Sequence, residues 1–541
     1  MVPPVNRRTT YLQDPSTPFD PSQARLLPQR LEIRNLHSAK QERLTVPVEL
    51  LLSGTDDGGW DAEVREFLGT GVQRFSVRWA SLRSGSGAGD AAAGAGGAVT
   101  PFASRVSGGL HVFLRPGGGQ EGEGVRRWVF LLACDAVCRV LKKVFGSEVA
   151  KCVDYEKSFT RSDTSSEYQF YSPLASLEGF VDFVREKGCA LDTAREEPCR
   201  RHARELLAAD SLDLAYDADS RNLVVSAIWA DAPGGEGWTE DLHAPAAGSK
   251  GKMEVGLLGA ERTADPEEIK MGGLLGVVGE DEKLKPTLFS FASRHHALPR
   301  DATFSVEFPL PTGLHPTMAI SLSPAALQPP DATCALHTYL TLPSYLFGDK
   351  YQLGTEDPLF LDSHHLVKLL SVTGETDLEA PDWSVSQWGS NWLLELATPP
   401  DDQYPEEWNV TIPLHLRYLA PSESGYRSVG VPWPVVFWAC AASEEAKMHF
   451  NPFDRVDLGW EGLFAPQTIF YQVNPAAEQG RLVEEISVPV LKETGFFNSK
   501  TIELGTVLAI VLGSLWVLWK LGAVMRTSGT RRSVESQKKS Q

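Results

Sequence analysis

The sequence predicts a mostly β protein: an α+β N-terminal domain, a β-sandwich second domain and one C-terminal transmembrane helix. Three observations predict it. From about Thr287 to Val490, apolar residues alternate regularly in short runs separated by proline-rich turns, the pattern of sandwich strands. Residues 1–230 mix similar runs with two helical periods. Leu504–Met525 is a 22-residue stretch whose only charge is Lys520, and as a helix of about 33 Å it can cross a hydrocarbon core. A chain of 541 residues also exceeds one hydrophobic core, so at least two domains are expected.

In the N-terminal domain, 1–230, strand-like alternation marks Leu31–Ile33, Val46–Leu51, Phe75–Trp79 and Leu110–Leu114. Ser84–Ala98 is low-complexity and glycine-rich. No Lys-Ser/Thr follows it, so it is read as a flexible insertion rather than a phosphate cradle. Ser176 can cap a helix that carries Leu177, Phe180, Val181 and Val184 on one face and stops at Gly188. A second helix is expected over Asp192–Ala209. Leu212–Tyr216 and Asn222–Trp229 form a hairpin around Asp217–Arg221. Residues 231–285, rich in glycine, acid and proline, are read mainly as a linker.

The second domain spans 286–495. One face of each strand is expected to carry Phe304, Val306, Phe308 and Leu310; Leu336, Thr338, Leu340 and Leu342; Ile412, Leu414, Leu416 and Tyr418; and Val429, Val431, Trp433, Val435 and Phe437. Pro413, Pro432 and Pro434 fall within these runs and mark edges, bulges or strand starts.

Charge orients the apolar segment, taken as 504–525. The formal net charge is −19, which excludes a general nucleic-acid binder. The tail, 526–541, reverses the sign: Arg526, Arg531, Arg532, Lys538 and Lys539 oppose Glu535 alone. Basic flanks stay on the cytosolic side, so residues 1–503 are expected in the lumen. Lys538 and Lys539 then stand four and three from a cytosolic carboxyl terminus, the dilysine pattern by which a retrieval coat returns proteins to the endoplasmic reticulum (ER). A buried core helix is the alternative for 504–525; its length, its single charge and its basic neighbour disfavour it. One observation points the other way. The N-terminal residues MVPPVNRRTTYLQDPSTPFDPSQ contain no apolar signal core, and the run Val129–Val137 contains Asp135 and is too short to span. A tail-anchored protein with a cytosolic body is therefore the competing topology. The basic tail, the dilysine and a glycosylation sequon favour the lumenal one.

That sequon is Asn409-Val-Thr411, which precedes a strand and would carry a glycan in the lumen. Seven cysteines are too dispersed for a disulfide scaffold or a zinc site. Cys189 with Cys199, or Cys334 with Cys440, could pair, and small buried hydrophobes are the equal alternative. The adjacent pairs His295-His296 and His364-His365 point to opposite faces of extended chain and do not chelate alone. Asp217-Ala-Asp219 resembles the two-aspartate motif of sugar transferases, but aspartates in a hairpin turn are ordinary turn formers. No metalloprotease, nucleophile-elbow or Walker motif occurs, so no catalytic, cofactor-binding or metal site is assigned. Gly505, Ala509 and Gly513 recur at every fourth position and form a small-residue helix face that a second membrane helix can approach closely.

Five strings carry a specific likeness: LHTYLTLPSYLFGDKYQL (336–353), ETDLEAPDW (375–383), IPLHLRYLAP (412–421), VPWPVVFWACA (431–441) and NPFDRVDLGWEGLF (451–464). They resemble the PIG-X family, in its fungal form named for protease B nonderepression, over roughly 286–520. A weaker likeness reaches the first domain through RRTTYLQDP and LDLAYDADSRNLVV. The resemblance implies a non-catalytic accessory subunit of GPI mannosyltransferase I, without cofactors. Its partner would be the multispanning PIG-M-type enzyme that adds the first mannose to the GPI-anchor precursor on the lumenal side. The fungal form is also implied to aid maturation of other ER proteins. Two other classes were weighed: a general lumenal folding factor for many clients, and a glycan-acting enzyme with hidden paired carboxylates.

Overall fold

The structure is a computed structural model. It describes residues 5–13, 20–52, 63–64, 67, 72–83, 102–116, 136–149, 151–161, 167–189, 196–245, 251–263, 267–310, 312–400, 405, 407–442, 451–455, 457–477, 479–494 and 498–538. The insertion Ser84–Ala98 lies outside them.

Asp217 builds the expected hairpin turn, its Oδ1 accepting the amides of Asp219 and Ser220 at 3.0 and 2.9 Å. Ser211–Asp217 and Asn222–Trp229 then pair antiparallel, with Asn222 opposite Asp217. The two aspartates are turn formers, as their setting required.

This hairpin lies within an eleven-stranded sheet. Its strand order is Lys285–Ala292, Glu268–Val277, Met253–Glu261, Asn6–Gln13, Ala39–Pro47, Asn222–Trp229, Ser211–Asp217, Val72–Ala80, Gly109–Pro116, Tyr168–Ser172, Thr160–Arg161. Asn6–Gln13 and Met253–Glu261 run parallel, Tyr11 opposite Leu257. A three-stranded sheet of Trp238–His243, Arg30–Leu36 and Ala24–Leu27 accompanies it.

Residues 231–285 are therefore not a linker in the fold: they carry Trp238–His243, Met253–Glu261 and Glu268–Val277. Glycine misdirected the reading. Gly259 faces Gly272 across the ladder, and Gly273 adopts φ +150°, where a Cβ would fall 2.0 Å from the Leu257 carbonyl. The residues that suggested a loop let two backbones approach. Val46–Leu51 also departs from expectation. The strand ends at Pro47, which has no amide to continue the ladder, and Val48–Leu52 is a single helical turn.

The first expected helix forms over Glu178–Phe183 and continues as a π turn to Gly188, with Ser176 Oγ accepting the Glu178 amide at 3.2 Å. The second forms over Glu196–Glu205, followed by a 3-10 turn.

The second half follows the sandwich pattern in two sheets. Six strands are ordered His295–Ala297, Thr468–Gln472, Val435–Ala441, Ala335–Pro343, Gly389–Leu396, Leu366–Gly374; four are ordered Trp408–Pro413, Thr317–Leu322, Thr303–Glu307, Asn474–Pro475. Pro413 and Pro432 end their strands and Pro434 precedes one. The Phe304 face stops early, because the strand ends at Glu307 and leaves Leu310 exposed. Tyr418 likewise lies beyond its strand and is exposed. Ala335–Pro343 is buried on both faces: Leu336, Leu340 and Leu342 on one, Tyr339 and Thr341 on the other. Tyr339 and Asn391 reach Gln169 of the N-terminal sheet, the Asn391 amide donating to Gln169 Oε1 at 2.8 Å. The two halves read from sequence are thus joined by buried hydrogen bonds.

Contacts divide the chain into a large unit (1–417 and 430–486) and a small one (418–429 and 487–541). The small unit contains the helix Ser499–Lys538; the most apolar 18-residue stretch within Lys500–Arg526 has a mean hydropathy of 2.0 and none of it is buried. This helix is long and apolar enough to cross a membrane, compatible with a single-pass membrane protein.

Candidate functional site

Asn451–Phe464 alternates too weakly for a strand. It runs as an irregular strap with one 3-10 turn at Glu461–Leu463. A buried strap without a ladder must find its partners in side chains, and this one draws them from both halves of the large unit. Asn451 donates to Ser293 Oγ at 2.9 Å, and Arg43 donates to the Pro452 carbonyl at 3.2 Å. Phe453 meets the rings of Phe102 and Phe291. Arg455 holds Asp213 of the N-terminal sheet through Nε–Oδ2 at 2.9 Å and Nη2–Oδ1 at 2.7 Å, with both side chains about one-tenth exposed. Ser76 donates to Asp457 at 2.6 Å. Trp460 stacks on Phe437 of the six-stranded sheet at 4.2 Å, and Glu461 pairs with the buried His295 at 2.7 Å.

Between strap and N-terminal sheet lies a cleft of about 510 Å³. Five arginines line it (Arg43, Arg78, Arg115, Arg294, Arg455) together with five acids (Glu167, Asp213, Asp454, Asp457, Glu461). The balance suits recognition of polar or zwitterionic groups better than a simple anion. Burial, reinforced by Glu461 and opposed by His295, pushes the Asp454 carboxyl up to about 6. Arg115 and Glu167 form an ion pair, and burial holds the Glu167 carboxyl above its ordinary range. No paired nucleophile and base line the cleft among the described residues.

A second ionic cluster lies on the N-terminal sheet. Lys40, wholly buried, reaches Glu42 at 2.8 Å and Glu240 at 2.9 Å and lies over the rings of Trp238 and Trp229. His202 bridges Glu42 and Glu205. Burial works against its charge, but the two carboxylates outweigh it and raise His202 to about 9. Sequence reading missed both this cluster and the strap's ion pair, because their members are far apart in the chain.

His295 and His296, in the strand His295–Ala297, diverge as extended neighbours should, whereas His364 ends the helix Pro358–His364 and His365 caps it at φ 51°, so that pair is not extended and turns to one strand edge. His295 meets Glu461, while His296 meets the Ser293 carbonyl. His364 and His365 reach Thr411 Oγ1 and the Asn409 carbonyl, both at 2.7 Å, and His365 stacks on Trp408. This second pair covers the open edge of strand Trp408–Pro413. The sequon lies on that edge, with Asn409 exposed. Cys189–Cys199 and Cys334–Cys440 are disulfides, joined by Cys138–Cys152; Cys134 lies outside the described residues. Asp331 sits beside Cys334 and Cys440, but sulfurs bonded to each other offer a metal no thiolate. Gly505, Ala509 and Gly513 lie on the membrane-type helix, exposed, and a Cβ at Gly505 or Gly513 would meet nothing within 4 Å among the described residues. Lys538 is the last helical residue; Lys539 lies outside the described residues.

Known proteins align with this chain almost end to end. The chain is 52% identical to Protein pbn1 of Emericella nidulans over 97% of each chain. It is 50% identical to Protein pbn1 of Aspergillus oryzae, over 99% of this chain and 100% of the relative. It is 36% identical to Protein pbn1 of Neurospora crassa, over 97% of this chain and 96% of the relative. A family model described as PIG-X / PBN1 matches residues 311–522, which takes in the six- and four-stranded sheets except for His295–Ala297 and Thr303–Glu307, together with the strap and most of the apolar helix. With full-length similarity at this level, the chain belongs to the PIG-X / PBN1 family.

Proposed function

We propose that the protein is a non-catalytic, single-pass ER membrane subunit that stabilises the catalytic subunit of GPI mannosyltransferase I, which adds the first mannose to the GPI-anchor precursor. Family membership supports an accessory role in GPI-anchor biosynthesis, and the similarity over the full chain is the observation that carries the reading. The physical mechanism is mass action: a subunit that binds only the folded enzyme lowers the free energy of that state.

Three features suit this role. The disulfides fit an oxidising lumen around the body of the chain. Asn409 is exposed where a lumenal glycan would be added. The face of Gly505, Ala509 and Gly513 is open for a helix of the PIG-M-type partner. Lys538 and Lys539 would supply the retrieval signal read by the cytosolic coat.

The test is co-purification of the full chain with the mannosyltransferase from cells, followed by the enzyme's half-life after depletion of this protein. The reading expects one dominant partner and a shortened half-life. A broad set of clients, with the enzyme unaffected, would replace it with a general folding factor. Changing Gly505, Ala509 and Gly513 together to Leu should weaken the association; unchanged recovery would rule out that helix face.

A further inference from the structure

In the small unit, the segment that leads into the apolar helix is tied to a tyrosine-bearing loop. The Val490 amide donates to the Gly425 carbonyl at 2.9 Å, the Ser422 amide to the Leu491 carbonyl at 3.1 Å, and the Glu493 amide to the Ser422 carbonyl at 3.0 Å. Gly425, at φ +80°, is buried beneath Lys492, whose Cγ would lie 2.8 Å from a Cβ at that position. Arg427 folds back onto the Ala420 and Pro421 carbonyls at 2.6 and 2.8 Å, and Ser422 and Ser424 both donate to the Tyr426 carbonyl. The loop is thus held in shape by its own hydrogen bonds.

Its outward groups are apolar and amphipathic. Tyr418 is 65% exposed, Tyr426 59% and Leu491 39%. Only six residues separate Glu493 from Lys500, where the span begins, a reach of at most about 25 Å. Tyrosine favours the headgroup layer of a membrane, where its ring is shielded and its hydroxyl stays wet. Glu423 and Glu493 balance Arg427 and Lys492, so aromatic insertion rather than attraction to anionic lipid is the available force.

We infer that the loop Tyr418–Val429, clamped to Ser487–Glu493, lies in the zwitterionic lipid headgroup layer with Tyr418 and Tyr426 inserted, and so fixes how the chain leaves the membrane. The inference rests on the reading of Lys500–Arg526 as a membrane span. Its test uses the full chain with Cys134→Ser, so that the six disulfide cysteines stay paired. A fluorophore is attached at Ala420→Cys, which leaves both tyrosines in place, and in a second protein at Val511→Cys within the span. Both proteins are reconstituted into phosphatidylcholine vesicles that contain nitroxide lipids labelled near the headgroup or deep in the chains.

The label at 420 should be quenched by the shallow nitroxide and the label at 511 by the deep one. Adding Tyr418→Ser and Tyr426→Ser should lower the quenching at 420 about twofold. Quenching at 511 with none at 420 overturns the inference, keeps the span and leaves the tyrosines to a protein partner. Quenching at 420 that ignores the tyrosine changes refutes their role as anchors. No quenching at 511 refutes the span itself and the inference with it.

Discussion

If the strap clasps the two halves together, Arg455→Met should show it. The guanidinium makes three contacts under 3.2 Å with Asp213, in a site where both side chains are about one-tenth exposed. Methionine fills similar volume but leaves Asp213, among the described residues, with Arg78 at 3.9 Å. Removing one partner of a buried pair costs about 3–5 kcal/mol, because the other charge is stranded. The residual Arg78 interaction places the expected loss near the lower end, about 3 kcal/mol. Arg455→Met with Asp213→Leu removes both members of that pair and leaves Arg78 to the Val77 and Leu214 carbonyls, so it should cost less than Arg455→Met alone. Urea unfolding of the full chain in detergent, followed by tryptophan fluorescence, measures the single and double variants as a cycle. The reasoning fails if Arg455→Met alone costs under about 1 kcal/mol, or if the double variant is no better than the single.

Four further predictions concern separate groups. Asp454, raised to about 6 in the fold, contributes stability below the carboxyl's unfolded value and loses it as pH rises through 6; Asp454→Asn should therefore raise the melting temperature at pH 7.5 and not at pH 4. His202, raised to about 9, contributes fully below its unfolded value near 6.5 and loses that contribution as pH rises through 9; His202→Ala should flatten the fall in melting temperature between those limits. Gly389 stands at φ +153°, where a Cβ would lie 2.1 Å from the Leu342 carbonyl, so Gly389→Ala should destabilise the six-stranded sheet by about 2 kcal/mol or more in the same urea assay. Asn409→Gln should increase gel mobility by one glycan and abolish the shift on deglycosylation; unchanged mobility would count against a lumenal body.

Much of the fold was legible where the signal is local. Asp217–Arg221 announces a turn through its own side chains, and alternation located the strands around Tyr339 and Phe437, whereas the run read as starting at Ile412 begins earlier, at Trp408, with Asn409 inside the strand. The failures share one physical cause. Gly273 reads as loop because glycine marks both turns and close backbone contact, and only the partner strand distinguishes them. Val48 reads as strand because the ladder's end at Pro47 is set by pairing. Ala335–Pro343 alternates as if half-buried, yet a second layer covers its other face. The strap carried a strong family likeness but no periodicity. Its meaning depends on Asp213, Ser76 and His295, which lie far away in sequence. Asn409 and the small-residue helix face were legible as motifs, and the structure adds that both surfaces are open.

The clasp also bears on how the chain is made. Asp213 leaves the ribosome 242 residues before Arg455, a delay of about 10–50 s at ordinary elongation rates. During that interval the N-terminal sheet holds a stranded carboxylate, and the Tyr339 and Asn391 side chains that will meet Gln169 have not all been synthesised. Its first strand can pair early with Ala39–Pro47, but its other edge stays open until Leu257 arrives opposite Tyr11. The nascent N-terminal half should therefore engage the chaperones around it for longer than a half that folds alone. A chain cut short anywhere before residue 451 should be degraded rather than persist as a folded fragment.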